Sequence, residues 1–214
     1  MANKNQVLNN NFYDCGLLEQ ETGSGIGMYE SNKNIVVNNE ITNCGGFGIE
    51  LNNSSNDNQV PKNIVTDCGL GNEPRASILI STSNNNLVQK NEVYNGFAGI
   101  VVENSNDNQV MKNTIEKMAR SGIGLVRDSS NNLVKKNYVS NCLNGTLLSK
   151  VHDNRVSKNE VTASTDFGII VRDSINNRID GNYVSGSGLW DLSERPKPLQ
   201  NIWEDNIYST WDPY

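Results

Sequence analysis

The 214-residue chain has a single histidine, His152, and four cysteines with no CxxC pair. Zinc and copper centres built from His and Cys need more ligands than this, so no metal and no cofactor is expected. No stretch approaches the ~18–20 consecutive apolar residues of a membrane-spanning helix. The opening MANKNQVLNNNF lacks the charged-then-apolar plan of a secretory signal. Positive charge is in deficit: 18 Lys and Arg stand against 24 Asp and Glu, a net charge of −6. An acidic balance argues against a nucleic-acid partner, because phosphate contacts need a basic surface. Apolar residues are also scarce at 36%, yet the aliphatics recur too regularly for a disordered chain.

What is abundant is asparagine, 37 residues, together with 18 glycines. Both are poor in helix interiors and tolerate left-handed backbone, so a mainly helical fold is excluded. Aligned on the frame N-x-φ-x-x-N-x-φ (φ apolar), the sequence shows nine copies, beginning at Asn5, Asn34, Asn58, Asn86, Asn108, Asn132, Asn154, Asn177 and Asn201. The first apolar position is Val in seven copies, then Ile179 and Trp203; the second runs from Phe12 through Ile and Val to Tyr208. A third element, Gly-Ile-x-φ, recurs between copies, as in Gly99-Ile100-Val101-Val102 and Gly122-Ile123-Gly124-Leu125. Each unit of 22 to 29 residues thus holds three short period-2 segments and no helix. Such a unit cannot bury its own apolar side, whereas stacked units can. The expected fold is all-β: a solenoid of about nine coils, three short strands per coil, with asparagine ladders at the turns.

The N-x-φ-x-x-N-x-φ…G-I-x-φ pattern resembles the repeat of right-handed parallel β-helix proteins of the pectate-lyase-like superfamily, in particular its NosD-like, or carbohydrate-binding and sugar-hydrolase, branch. The resemblance covers about residues 3 to 210 and implies a right-handed solenoid that handles carbohydrate. It implies no one activity, since that superfamily holds lyases, hydrolases, epimerases, phage depolymerases and non-catalytic proteins. The Asp-rich calcium site of pectate lyases, the Asp cluster of polygalacturonases and the Asp-Pro-His motif of alginate epimerases are absent from this sequence. If NosD proteins handle copper, one His and buried Cys give no support for transferring that role.

Residues 1–214 are expected to form one domain, with 186–214 as the last coil and C-terminal cap. Cys15, Cys44, Cys68 and Cys142 fall five residues after the second Asn, a position that Met118 and Trp211 also fill, so they should be buried free thiols, a disulfide between neighbouring coils being the alternative. All three tryptophans lie in the last 25 residues, as a cap or as a sugar-stacking platform. No amphipathic helix precedes Asn5, which leads to the expectation that the chain is the C-terminal part of a longer β-helix, or meets a second subunit at its first coil. The location would be secreted or cell-surface in the first case and cytoplasmic otherwise. Insertions at 16–24, 69–76 and 186–199 share one corner, and the first two should form two lips of a notch carrying Glu19, Glu21, Glu73 and Arg75.

Stacking turns each outward position into a column. Before the second Asn stand Lys62, Lys90, Lys112, Lys136 and Lys158, either a cationic track for an anionic polysaccharide or a turn position that tolerates Lys. After it come Glu40, Glu92, Thr114, Tyr138, Glu160 and Tyr183, and two residues further Tyr94 and Glu116. Glu92 and Glu116 should lie roughly 8 Å apart, inside the ~6.5–9.5 Å of an inverting glycosidase pair; surface pairing of Glu92 and Glu160 with nearby Lys is the plainer alternative. On the third strand the outward Leu79, Val101, Leu147 and Ile170 suggest a surface covered by the tail or by another subunit. The leading expectation is a domain that binds a polysaccharide, acidic in kind, without catalysis. The alternatives are a polysaccharide hydrolase or lyase and an assembly module stacking through its first coil. In the enzyme reading Glu92, Glu116 and Glu160 are catalytic, and Lys90, Lys112, Lys136, Lys158, Tyr94, Tyr138 and Tyr183 hold substrate.

Overall fold

The computed structural model describes residues 4–16, 23–71, 75–196 and 200–212. They form a right-handed parallel β-solenoid of about eight turns, close to the nine expected, with no helix among the described residues. Three parallel sheets of nine, eight and nine strands run the length of the molecule, and each strand pairs with its counterpart one coil away. The first sheet takes strands such as Gln109–Met111, the second strands such as Thr114–Glu116, the third strands such as Ser121–Val126. Register follows the repeat: Val88 lies beside Val110 and Val110 beside Val134, so each apolar column becomes a continuous interior ladder.

The corners explain the composition. Between Met111 and Thr114 the chain turns at Lys112, whose φ is 57°, and the next residue, Asn113, points inward. One left-handed residue between two extended segments is a sharp bend, and four columns of such residues recur around the coil. Among the described residues 32 non-glycine positions have positive φ; 18 are Asn or Asp and nine are Lys. Asn and Asp tolerate this backbone best among side-chain-bearing residues.

Each interior corner Asn is saturated. Asn113 Oδ1 accepts both the backbone N–H (2.9 Å) and Nδ2–H (3.0 Å) of Asn91, while its own Nδ2 donates to Val88 O and to Asn137 Oδ1. The same pattern joins Asn5 to Asn201 and Asn10 to Asn206. From Asn58 to Asn182 these residues are no more than 2% exposed, which is tolerable only because every polar atom has a partner. Two further ladders accompany them. Ser31, Ser55, Ser83 and Ser105 each give a backbone N–H to the next coil's serine hydroxyl. Asn32, Asn56, Asn84 and Asn106 run the opposite way, each Oδ1 accepting from the following coil.

The last coil departs from the repeat. Glu194 stands in the column of Val171 and accepts from Asn201 Nδ2 and Trp203 Nε1, both at 2.8 Å, so a carboxylate receives donors at the end of the asparagine ladder. Trp203 and Trp211 meet edge to face at 4.7 Å and pack on the end of the core; Trp190, on the outer face of the third sheet, is exposed. Cys44, Cys68 and Cys142 are buried and free, and Cys15 is half-buried at the first coil. Burial pushes the Cys15 and Cys142 thiols up to about 11, so they stay protonated at neutral pH.

Candidate functional site

The strands of the third sheet are the longest among the described residues, six residues in the central coils, and their outer face carries an open groove. Glu50, Leu79, Val101, Gly124, Leu147 and Ile170 are in register along it. The sequence suggested that the tail or another subunit covers this strip; the structure divides it. Ile170 is fully buried, Leu79 is covered by Phe47 and Phe97 together with Ala76 and Ala98, and Val101 and Leu147 floor an open groove of about 780 Å³. Gly124 deepens the floor, since a Cβ there would meet nothing closer than Val101 at 3.7 Å.

The groove walls are polar and mainly cationic: Arg75, Arg120, Arg127 and Lys150 against the carboxylates Glu50 and Glu103. Arg75, Phe97 and Arg120 stand three residues before the interior isoleucines Ile78, Ile100 and Ile123, so three coils place them side by side. The Arg75 guanidinium lies over the Phe47 ring at 5.2 Å. Glu103 is ion-paired with Arg127. Glu50, only 4% exposed, accepts hydrogen bonds from Tyr29 Oη (2.5 Å), Ser24 Oγ (3.0 Å) and Asn52 Nδ2 (3.0 Å). Burial, and then the hydrogen bond to Glu50, push the Tyr29 hydroxyl up to about 12. Both carboxylates are thus engaged by neighbouring side chains.

The residues singled out in the sequence lie elsewhere, on the second sheet and its entry corner. Glu92 pairs in register with Thr114 and Tyr94 with Glu116, so Glu92 and Glu116 are one coil and two residues apart as expected, with Tyr94 between them. Tyr94 Oη donates to Glu92 Oε2 at 3.1 Å, and partial burial, Glu92 and the nearby Glu116 together raise the phenol's pKa. Tyr138, Glu160 and Tyr183 continue the column of Glu92 and Thr114 over the next three coils, all exposed, with Tyr138 one coil from Thr114. No ion pair links Glu92 or Glu160 to Lys90 or Lys158 among the described residues: the corner sends the lysine off the sheet face, and Glu92 turns to Tyr94 instead. Lys62, Lys90, Lys112, Lys136 and Lys158 are all exposed. Glu19, Glu21 and Glu73 lie outside the described residues, leaving Arg75 as the part of the expected notch that is seen.

Two family models match over more than half the chain. One, described as periplasmic copper-binding protein (NosD), covers residues 62–207, and the other, right handed beta helix region, covers 1–114. The chain belongs to the NosD right-handed β-helix family. No curated protein sequence matches it. Among solved structures it is similar to the periplasmic alginate epimerase AlgG (TM-score 0.83, 20% identity, 94% of this chain and 50% of that one). It is also similar to the A-module of the Azotobacter vinelandii mannuronan C-5 epimerase AlgE6 (0.78, 14%, 100% and 59%) and to the DFA-IIIase of Arthrobacter chlorophenolicus A6 (0.59, 15%, 88% and 56%). The chain therefore spans half to three-fifths of these chains, and at such identities the likeness concerns the fold.

The family description invites a test for copper. Copper sites are built from imidazole, thiolate or thioether ligands converging on one point. Here the one imidazole, His152, is half-buried and hydrogen-bonded to Asp153, the thiols of Cys15, Cys44 and Cys142 are pushed up by burial and their neighbours, and no three His, Cys, Asp or Glu side chains among the described residues are placed to share a metal. The described residues of this NosD-family chain do not fit the ion.

Proposed function

We propose that this NosD-family domain binds an acidic polysaccharide in the groove on the outer face of its third sheet and holds it without cleaving it. One observation carries the reading: in a protein of net charge −6, the groove sets four cationic side chains against two carboxylates, over a floor of Val101 and Leu147 and beside Phe47 and Phe97. Apolar and aromatic surface suits the faces of sugar rings, and guanidinium groups suit their carboxylates. Retention without turnover follows from the two acids, since Glu50 is buried under three donors and Glu103 is paired with Arg127. The related structures include proteins named for alginate and mannuronan, and both the family description and AlgG carry the word periplasmic. On this reading the protein works outside the cytoplasm.

A second reading, cleavage at Glu92 and Glu116, draws on Tyr94, which is hydrogen-bonded to Glu92 and in register with Glu116. A panel of neutral and uronate polysaccharides separates the two. Binding predicts retention of the uronates, weakened by salt, with no new reducing ends and no unsaturated products. Turnover that disappears in Glu92→Gln or Glu116→Gln would replace the first reading by the second.

A further inference from the structure

Far from the groove, at the corner between the first and second sheets, lies a second feature for which backbone preference gives no reason. Lys62, Lys90, Lys112, Lys136 and Lys158 occupy one corner position in five consecutive coils, each with φ between 55° and 58°. The left-handed region is costly for a side-chain-bearing residue other than Asn or Asp, by about 1 kcal/mol or more. The same position in the outer coils carries Asn9, Asn38, Gly181 and Asp205, the residues that this backbone favours. The chain supplies its own comparison in two other left-handed columns. The one before the first ladder has Lys4 and Lys33 and then Asp57, Asn85, Asp107, Asn131, Asp153 and Asn176, and the one after the second sheet runs Asp14, Asn43, Asp67, Asn95, Lys117, Asn141, Ala163. Lysine holds five successive coils in this column alone, against one or two positions in each of the others.

Electrostatics adds to the cost. Stacked coils place equivalent residues ~4.8 Å apart, so five ammonium groups form a ridge about 19 Å long in which each neighbour repels the next. No carboxylate among the described residues forms an ion pair with these five lysines. Glu92, two residues from Lys90, is bound to Tyr94, and Asp180, near Lys158, is held by Arg155. Lysine is thus kept five times against both backbone preference and mutual repulsion, and only Lys158, near Asp180, has a favourable charge beside it.

We propose that this ridge is a binding track for a linear polyuronate lying along the solenoid axis, with one carboxylate per coil. A polyuronate carries one carboxylate on every sugar, and a 1→4-linked pyranose advances its chain by about the rise of one coil, so charge meets charge without bending either partner. Nucleic-acid strands space their phosphates by the length of a whole nucleotide and match the ridge less well. The track is separate from the groove and does not depend on it.

The test uses a galacturonate hexamer and calorimetry on protein in which Gly124→Trp fills the groove, so that failure of the groove reading and failure of this one give different results. The ridge predicts one hexamer bound, a loss of affinity on adding salt, and a drop of about tenfold when Lys90, Lys112 and Lys136 are all changed to Asn, as the loss of three exposed ion pairs implies. Because Asn suits the corner better than Lys, the triple variant should unfold at the same temperature or higher, which separates lost binding from lost fold. Affinity unchanged in the triple variant would overturn the proposal. So would single-stranded DNA of equal charge binding as tightly as the hexamer.

Discussion

A single corner asparagine contains most of the physics of this molecule. Asn113 is buried, yet its amide makes four side-chain hydrogen bonds to the coils on either side. Asn113→Ala would leave the backbone N–H of Asn91 and one of its Nδ2 hydrogens without an acceptor inside the protein. An unsatisfied buried polar group costs ~1–3 kcal/mol, so about 2–5 kcal/mol of destabilisation is expected. Asn5→Ala, at the open end of the same kind of ladder, should cost under about 1 kcal/mol; chemical denaturation of the two variants checks the contrast. A charged residue behaves differently. Asp180, on the first sheet, accepts Arg155 Nε and Nη2 at 2.8 Å each, and that pair, with Arg178 and Lys158 nearby, holds its carboxyl below the usual carboxylate range. A folded pKa below the unfolded value of ~3.9 means that the unfolded chain takes up the proton first, so the pair's contribution is present above that value and is lost as pH falls through the folded one. Unfolding midpoints measured from pH 6 to pH 2 should therefore fall less steeply in Asp180→Asn than in the parent.

Among the elements, the third strand shows how much of the fold the sequence carries and where it stops. Its Gly-Ile-x-φ motif marks a column of glycines with no room for a side chain: a Cβ on Gly99 would come within 2.3 Å of Gly122 O and 2.6 Å of Ile115. Gly124, two residues beyond Gly122, lies in the groove floor, where a Cβ would make only ordinary contacts, with Val101 at 3.7 Å and Val126 at 4.0 Å. Gly99→Ala should lower the melting temperature by several degrees or prevent folding, while Gly124→Ala should move it hardly at all; thermal unfolding of both tests this. The interior columns were legible because they repeat with the coil. The Ser and Asn ladders at 31, 32 and onward were less so, because the pattern lapses at Ser130, Val151 and His152. The groove was missed for a related reason. Its outward apolar residues were visible, but which are covered depends on Phe47 and Phe97 folding over Leu79, a contact between coils that no single repeat encodes. The available signal was the run Arg75, Phe97, Arg120, which steps with the coil. Glu92, Tyr94 and Glu116 come together much as their spacing suggested, whereas Tyr138, Glu160 and Tyr183 carry the Glu92 column on along the sheet as exposed rungs.

At the scale of the whole molecule, the three sheets make a rigid rod whose faces differ in chemistry. One bears the groove, one the Glu and Tyr rows, and one corner the lysine ridge. The asparagine excess belongs to the scaffold, and function is carried by outward side chains that the scaffold repeats at a fixed rise. The central claim is that the third-sheet groove holds an acidic polysaccharide, and methyl NMR of Val101 and Leu147 during titration with a galacturonate hexamer tests it most directly. These methyls should shift in a saturable way that is abolished by Gly124→Trp and absent with a neutral hexamer. If they stay unmoved while the protein demonstrably binds the uronate, the groove is not the site.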